Sequence, residues 1–351
     1  SNVADEWARF MRKSPRKIIT YTIDVKPKIT GQTAGWTALL RSMASTSKIT
    51  GATGASGTAV TSGTTAFIGA NNTVTALGSI DLDARDKVDM RVVSGGVGVG
   101  GAGFGASVIV VTVDRAVGAE VRGGSILSAG TGAGQGVFID GKLDLDFDGL
   151  AFAGGFGGIV GIAGGVVVFN DTSDVSAGLA DATSDAAGVQ ITQAGTVAIR
   201  AVSDVTVRAS ALGVGASFFA GAGASVVVID ADGSATARVG DFAKIGSSGV
   251  GNVGSVSVDA VANADIDNYP GFEPMTIAIG AGGLVGGAGA VAVVTVSADA
   301  LAAVGNDVET DIAGELKVAA DADFEIDLKA DGVAVGLGGG IGVVVTRANI
   351  T

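Results

Sequence analysis

One unit recurs five times between Thr61 and the end of this chain, and every copy carries a long run made almost wholly of Gly, Ala and Val. A triplet Ala-x-[Ile/Val/Leu] enters each copy, at Ala66-Phe67-Ile68, Ala119-Glu120-Val121, Ala177-Gly178-Leu179, Ala237-Arg238-Val239 and Ala302-Ala303-Val304. A second marker, Gly-x-[Ile/Val/Leu]-x-[Ile/Val/Leu], follows in the same order from Gly78, Gly141, Gly195, Gly254 and Gly314. Self-similarity at a period of tens of residues is the signature of a stacked array rather than of separate globules.

Each copy reads as a short entry strand, a turn with glycine, an acidic alternating strand, a glycine-rich apolar stretch and a valine-rich exit strand. The exit strands lie at residues 108–113, 166–169, 226–229, 291–296 and 343–345; β-branched runs of that length favour strand over helix. In Leu143-Asp144-Leu145-Asp146-Phe147-Asp148 apolar and acidic residues alternate with period two, the pattern of a half-buried sheet. Charge-free runs at residues 95–113, 149–170, 209–229 and 275–297 are long enough for a membrane helix. Each interior glycine, however, costs a helix about 1 kcal/mol relative to alanine. Segments such as Val97-Gly98-Val99-Gly100 read instead as a sheet with valine on one face and bare backbone on the other, which another layer can approach closely.

The fold expected is all-β: a repetitive β-solenoid, like a parallel β-helix, of about five imperfect repeats, each winding through two or three coils. The alternative is a stack of long antiparallel β-hairpins bending near Gly95-Gly96, Gly154-Gly155, Gly282-Gly283 or residues 338–340. It is disfavoured because its strands would exceed the usual limit of about ten residues. Two regions are expected, a basic N-terminal segment at 1–60 and the Gly/Ala/Val-rich β region at 61–351. Within the first, residues 18–29 read as one or two strands, 36–44 as a short helix and 45–65 as a linker or weakly ordered first coil.

Composition removes most chemistry. Among 351 residues there is no Cys and no His, so disulfides, thiolates, imidazole ligands and imidazole bases are all excluded. The 59 glycines follow no three-residue period and stand beside only 4 prolines, which excludes collagen, and 47% apolar residues argue against disorder. Net charge is −13, yet residues 1–60 carry +6, leaving −19 on the repeats and disfavouring nucleic acid as their partner. Residues 1–20 lack the apolar core of a secretory signal. The chain stops where earlier copies run on towards their entry triplet, as expected of a piece cut from a longer protein.

Candidate sites are few. Gly98-Val99-Gly100-Gly101-Ala102-Gly103 fits G-x-G-x-x-G but sits in a strand context without the helix a dinucleotide fold needs. Asp144, Asp146 and Asp148 open like a calcium loop, but Gly155 stands where a bidentate Glu is required. With Asp230 and Asp232 they are the calcium candidates, weighed against a solvated acidic face that keeps a sheet soluble. No other cofactor and no catalytic residue is expected.

The order A-x-[IV]-G, then G-x-[VLI]-x-[VLI]-x-A, then a tract ending as in Gly105-Ala106-Ser107-Val108 and Gly223-Ala224-Ser225-Val226-Val227-Val228, resembles the repeats of very large bacterial surface and secreted proteins, including filamentous adhesins of the leukotoxin type. The resemblance covers residues 61–351 and implies extracellular, β-rich architecture with roles in adhesion or surface structure. The expected function is therefore non-enzymatic: a secreted or cell-surface structural and adhesive repeat protein that forms a stiff rod or filament by head-to-tail self-association, with a host or neighbouring-cell surface as a further partner. The alternative is a membrane-contacting or pore-forming β protein with apolar hairpin tips.

Overall fold

The computed structural model describes residues 63–246 and 252–351, together with the backbone of the strands Lys28–Ile29 and Ala55–Thr61. The readings of residues 18–27, 36–44 and 45–54 lie outside the described residues. Among those described there is no helix: the chain is all-β, and every pairing between strands is parallel except that of Lys28–Ile29 with Ile80 and Asp81.

Each unit pairs directly with the next. The entry strands Thr64–Ile68, Ala116–Val121, Asp174–Leu179, Ser234–Val239 and Asp299–Val304 form a five-stranded sheet of their own. In it Ala66, Ala119, Ala177, Ala237 and Ala302 stand in one column. The first marker thus identifies structurally equivalent positions in all five copies. The second does so in four. Register puts Gly195, Gly254 and Gly314 in line with Gly78, but the place in the second copy belongs to Gln135, six residues before Gly141. One copy is therefore one layer, not two or three coils.

After the entry strand the backbone turns through a left-handed residue at Asn71, Gly124, Phe242 and Asp307, with φ of 58°, 72°, 58° and 54°. A short strand follows, Thr73–Thr75 or Ile126–Ser128 in the first two copies, and then a long arm runs outward. In the first two copies that arm and its return make single strands, Ile80–Asp114 and Gly136–Asp171, of 35 and 36 residues. Equally long neighbours support them, so the ordinary length limit does not apply.

The chain reverses at Gly101, Gly158, Phe218-Phe219, Gly283-Leu284 and Leu337-Gly338: in the first two copies the bend comes later than the glycine pairs expected from sequence, and in the last two it falls at the expected glycines. The long and return arms of one copy run in opposite directions, as in a hairpin. No hydrogen-bonded ladder joins them, however; they pack face to face, and each pairs in parallel with the copies on either side.

Near the root, where the arms diverge, the core lies between them. Inward positions are large and apolar, with Leu82, Leu143, Leu145, Ile199, Val258 and Ile229 buried, and Phe147 stacks on Phe169 across the layer at 4.8 Å between ring centroids. Towards the reversal the inward positions become glycine. Gly98, Gly155, Gly215 and Gly280 form one column, and a Cβ on any of them would lie 1.7–2.1 Å from the carbonyl oxygen of Phe104, Ile162, Ala222 or Gly287 in the facing arm. Only bare backbone permits that approach, far inside the ~10 Å at which sheets ordinarily pack.

Candidate interaction surface

The side chains displaced from this glycine interior stand on the outside. Along the long arms every second residue faces out, and near the root those residues are charged. One outward column reads Asp89, Asp146, Thr206, Asp265 and Glu325, and the next reads Arg91, Asp148, Arg208 and Asp267. Four to eight residues further along, the same face is apolar: Gly95, Phe152, Leu212 and Ile277 in one column, Val97, Gly154, Val214, Ile279 and Val333 in the next. Asp331 is the charged exception in the fifth copy. The return arms match, with a column of Val108, Val166, Val226, Val291 and Val345 outward and polar residues from the column of Thr112, Asn170, Asp230, Thr295 and Asn349 onward; Arg347, in the column of Val110, Val168, Val228 and Val293, is the charged exception in the fifth copy. Polarity thus inverts along each arm: apolar inside and charged outside at the root, glycine inside and branched or aromatic outside at the tip.

The tip is well exposed. Phe218 is 80% accessible, Val99 79% and Leu337 95%, with Phe104, Ile159, Phe219, Leu284 and Val285 also open. A shallow recess on this ridge is lined by Val99, Gly100, Phe156, Gly157, Gly158, Ala216, Ser217 and Phe218, without one ionisable group.

At the root, the outward charges pair between neighbouring copies. Lys142 Nζ lies 2.6 Å from Asp204, Lys87 3.6 Å from Asp144, Lys317 2.8 Å from Asp259, and Arg208 reaches Asp146 at 2.5 Å and Asp148 at 2.8 Å. Exposed pairs of this kind contribute about 0–1 kcal/mol each, so they tie layers together only weakly. Asp140 lies beside Asp83 in the next strand, and burial first, then that like charge, raises its carboxyl above the usual range.

The calcium candidates separate. Asp144, Asp146 and Asp148 face out on the long arm beside Lys87 and Arg208, whereas Asp230 faces out on the return sheet between Asn170 and Thr295. Asp232 is exposed at the corner beyond it, its amide donating to the carbonyl of Asp171. Among the described residues no three acidic groups gather closely enough to hold a metal ion. Gly98 and Gly103 of the G-x-G-x-x-G match both face the opposite arm, on either side of the reversal at Gly101.

A polar cluster that alternation does not foretell lies inside the root. Asp86 occupies an inward position in line with Leu143 and is buried with Arg115, whose Nε donates to its Oδ2 at 2.7 Å. In the next layer Asp171 is buried, its Oδ1 accepting from Ser173 at 2.5 Å while Oδ2 has no donor among the described residues. Burial, reinforced by the charges of Asp114 and Asp174 and opposed by Ser173, pushes this carboxyl up to about 6. The signal in sequence was an acidic residue at a position whose counterparts, Val113 and Ala231, are apolar.

No protein-family model, no curated protein and no solved structure matches this chain.

Proposed function

We propose that the chain is a β-solenoid segment with one repeat per turn, and that its role is structural and adhesive, at the cell surface or outside the cell. The observation that carries this reading is the in-register column of like residues through five layers, typified by Ala66, Ala119, Ala177, Ala237 and Ala302. Every layer is a template for the next. The outer edge of Leu316–Ile326 and Gly339–Ile350 presents the same columns as each internal edge, so a further layer, from this chain or from another copy, pairs there in the same register. Heterologous stacking of that kind grows filaments.

The geometry also sets proportions. Each layer adds about 4.8 Å along the stacking direction, whereas a long arm of some twenty residues spans roughly 70 Å. Five layers therefore make a thin, broad blade, and a rod requires many copies or many more repeats. Close-packed glycine backbones and continuous ladders make such a blade stiff and resistant to proteases. The proposal includes no reaction: the absence of His and Cys, and a tip recess without ionisable groups, support a role played by shape.

Sedimentation velocity over a hundredfold concentration range, with negative-stain electron microscopy, tests it. Species that grow with concentration into filaments with layers about 4.8 Å apart are expected. Concentration-independent monomers without fibres would refute head-to-tail assembly.

A further inference from the structure

We propose that the tip of the blade inserts into the hydrocarbon region of a lipid bilayer. The inference goes beyond the scaffold reading and rests on it for the pairing of the outermost layers. Apart from Asp331 and Arg347 in the outermost layer, three surfaces there are apolar at once: the outer face of the long arms (Phe152, Leu212, Ile279), the outer face of the return arms (Val166, Val226, Val291) and the ridge between them. A second copy of this chain laid against the blade covers only one of the three. Lipid covers all of them.

Depth agrees. From Arg91 to the reversal at Gly101, from Asp148 to Gly158 and from Arg208 to Phe218 is ten positions each, with no charge between. Ten strand residues span about 33 Å, close to the ~30 Å hydrocarbon thickness of a bilayer. The apolar area, about 20 Å by 30 Å on each face, amounts to roughly 1,200 Å², beyond the few hundred Å² that soluble monomers ordinarily leave open.

The backbone suits the same environment. Hydrocarbon admits only chain segments whose amides and carbonyls are paired. In the second, third and fourth layers the tip strands are paired on both sides. At the outermost layers pairing with a further layer meets the same demand. The boundary of the apolar zone carries an amphipathic aromatic: Tyr269, from the loop between Asn252–Asp267 and Thr276–Gly282, accepts a hydrogen bond from Arg91 Nε at 2.8 Å. Phe272 of the same loop packs edge-on against it. Tyr269 itself is buried, so this loop closes over the boundary of the face and leaves Arg91 at its edge.

Because the chain lacks cysteine, single labels report one position each. Full-length Phe218→Cys, carrying an environment-sensitive fluorophore, is mixed with neutral phosphatidylcholine vesicles, and Asp323→Cys at the charged root serves as control. The chain is expected to float with the vesicles in 1 M salt. The label at 218 shifts to the blue and is quenched by doxyl groups on the acyl chains; the label at 323 does neither. The triple variant Val99→Asp, Phe156→Asp, Phe218→Asp, all at exposed positions, keeps its circular dichroism and loses at least tenfold in the vesicle-bound fraction. The proposal fails if wild-type chain stays out of the floated fraction, or if the triple variant floats as well as wild type. It also fails if the tip instead joins two copies, seen as lipid-free dimers by light scattering that the triple variant abolishes while no vesicles are bound. Sedimentation without lipid scores filament growth separately, so failure of insertion and failure of stacking are distinguishable.

Discussion

Asp86 and Arg115 show what a single inward position does in this fold. Both are buried and they form an ion pair, so removing one takes from the other its charge partner in the core. Asp86→Ala is expected to lower unfolding stability by about 3–5 kcal/mol in urea titrations. The next layer carries Leu143 in the column of Asp86 and Ser173 beside Arg115, which supplies a neutral solution to the same space. The double variant Asp86→Leu, Arg115→Ser is expected to recover most of the loss; a double variant no better than the worse single would show that the pair does more than neutralise itself. Asp171 acts in the opposite sense. Its folded pKa of about 6 lies above the unfolded value near 3.9, so the folded state binds the extra proton in that window and stability falls as pH rises through it. Its contribution at pH 5 should exceed that at pH 7 by about 1 kcal/mol. Asp171→Asn should remove that part of the difference, measured by urea midpoints at the two pH values.

At the scale of the element, period-two alternation holds along each arm while its meaning reverses. Residues 143–148 were legible because large apolar side chains inside and carboxylates outside is the usual arrangement of a half-buried strand. The valine-glycine segments alternate just as cleanly, but propensity cannot say which set faces in. The habit of placing the larger residue inside gives the wrong side here, because the facing arm lies too close for any Cβ. Glycine columns therefore divide into two kinds. Gly215→Ala puts a methyl carbon 1.9 Å from the Ala222 carbonyl oxygen, whereas Gly289 has open space and shares its outward column with Ala106, Ala224 and Val343. Overpacking of this kind typically destabilises by about 1–3 kcal/mol. Gly215→Ala is expected to do so and Gly289→Ala to leave the denaturant midpoint unchanged; equal effects would mean the arms are not packed backbone to backbone.

Across the whole molecule, stability is distributed between neighbouring layers, as in other stacked repeats. Removing a layer should then shorten the blade without changing its section. Val137 and Val197 share a column, so deletion of residues 137–196 joins Gly136 to Val197 in phase. The shortened chain is expected to keep its β circular dichroism and cooperative unfolding at a lower denaturant midpoint, and loss of structure would show that the layers are not interchangeable. The same arrangement concentrates charge at one end of the blade and apolar surface at the other. The whole is thus amphipathic along the strand direction, although no short window of sequence is amphipathic in the helical sense.

The sequence alone determined that this chain is repetitive and all-β, where its copies begin, and that it carries neither thiol nor imidazole, because periodicity and composition are local properties of a chain. Tertiary structure decided the rest. It made one copy one layer, folded each long strand back on itself at mid-run, buried Asp86, Arg115 and Asp171, and set which backbone the glycine face of each tip meets. The physical reason is the facing arm: which side of a strand is interior depends on how near another backbone comes, and that distance is set by residues far away in the sequence.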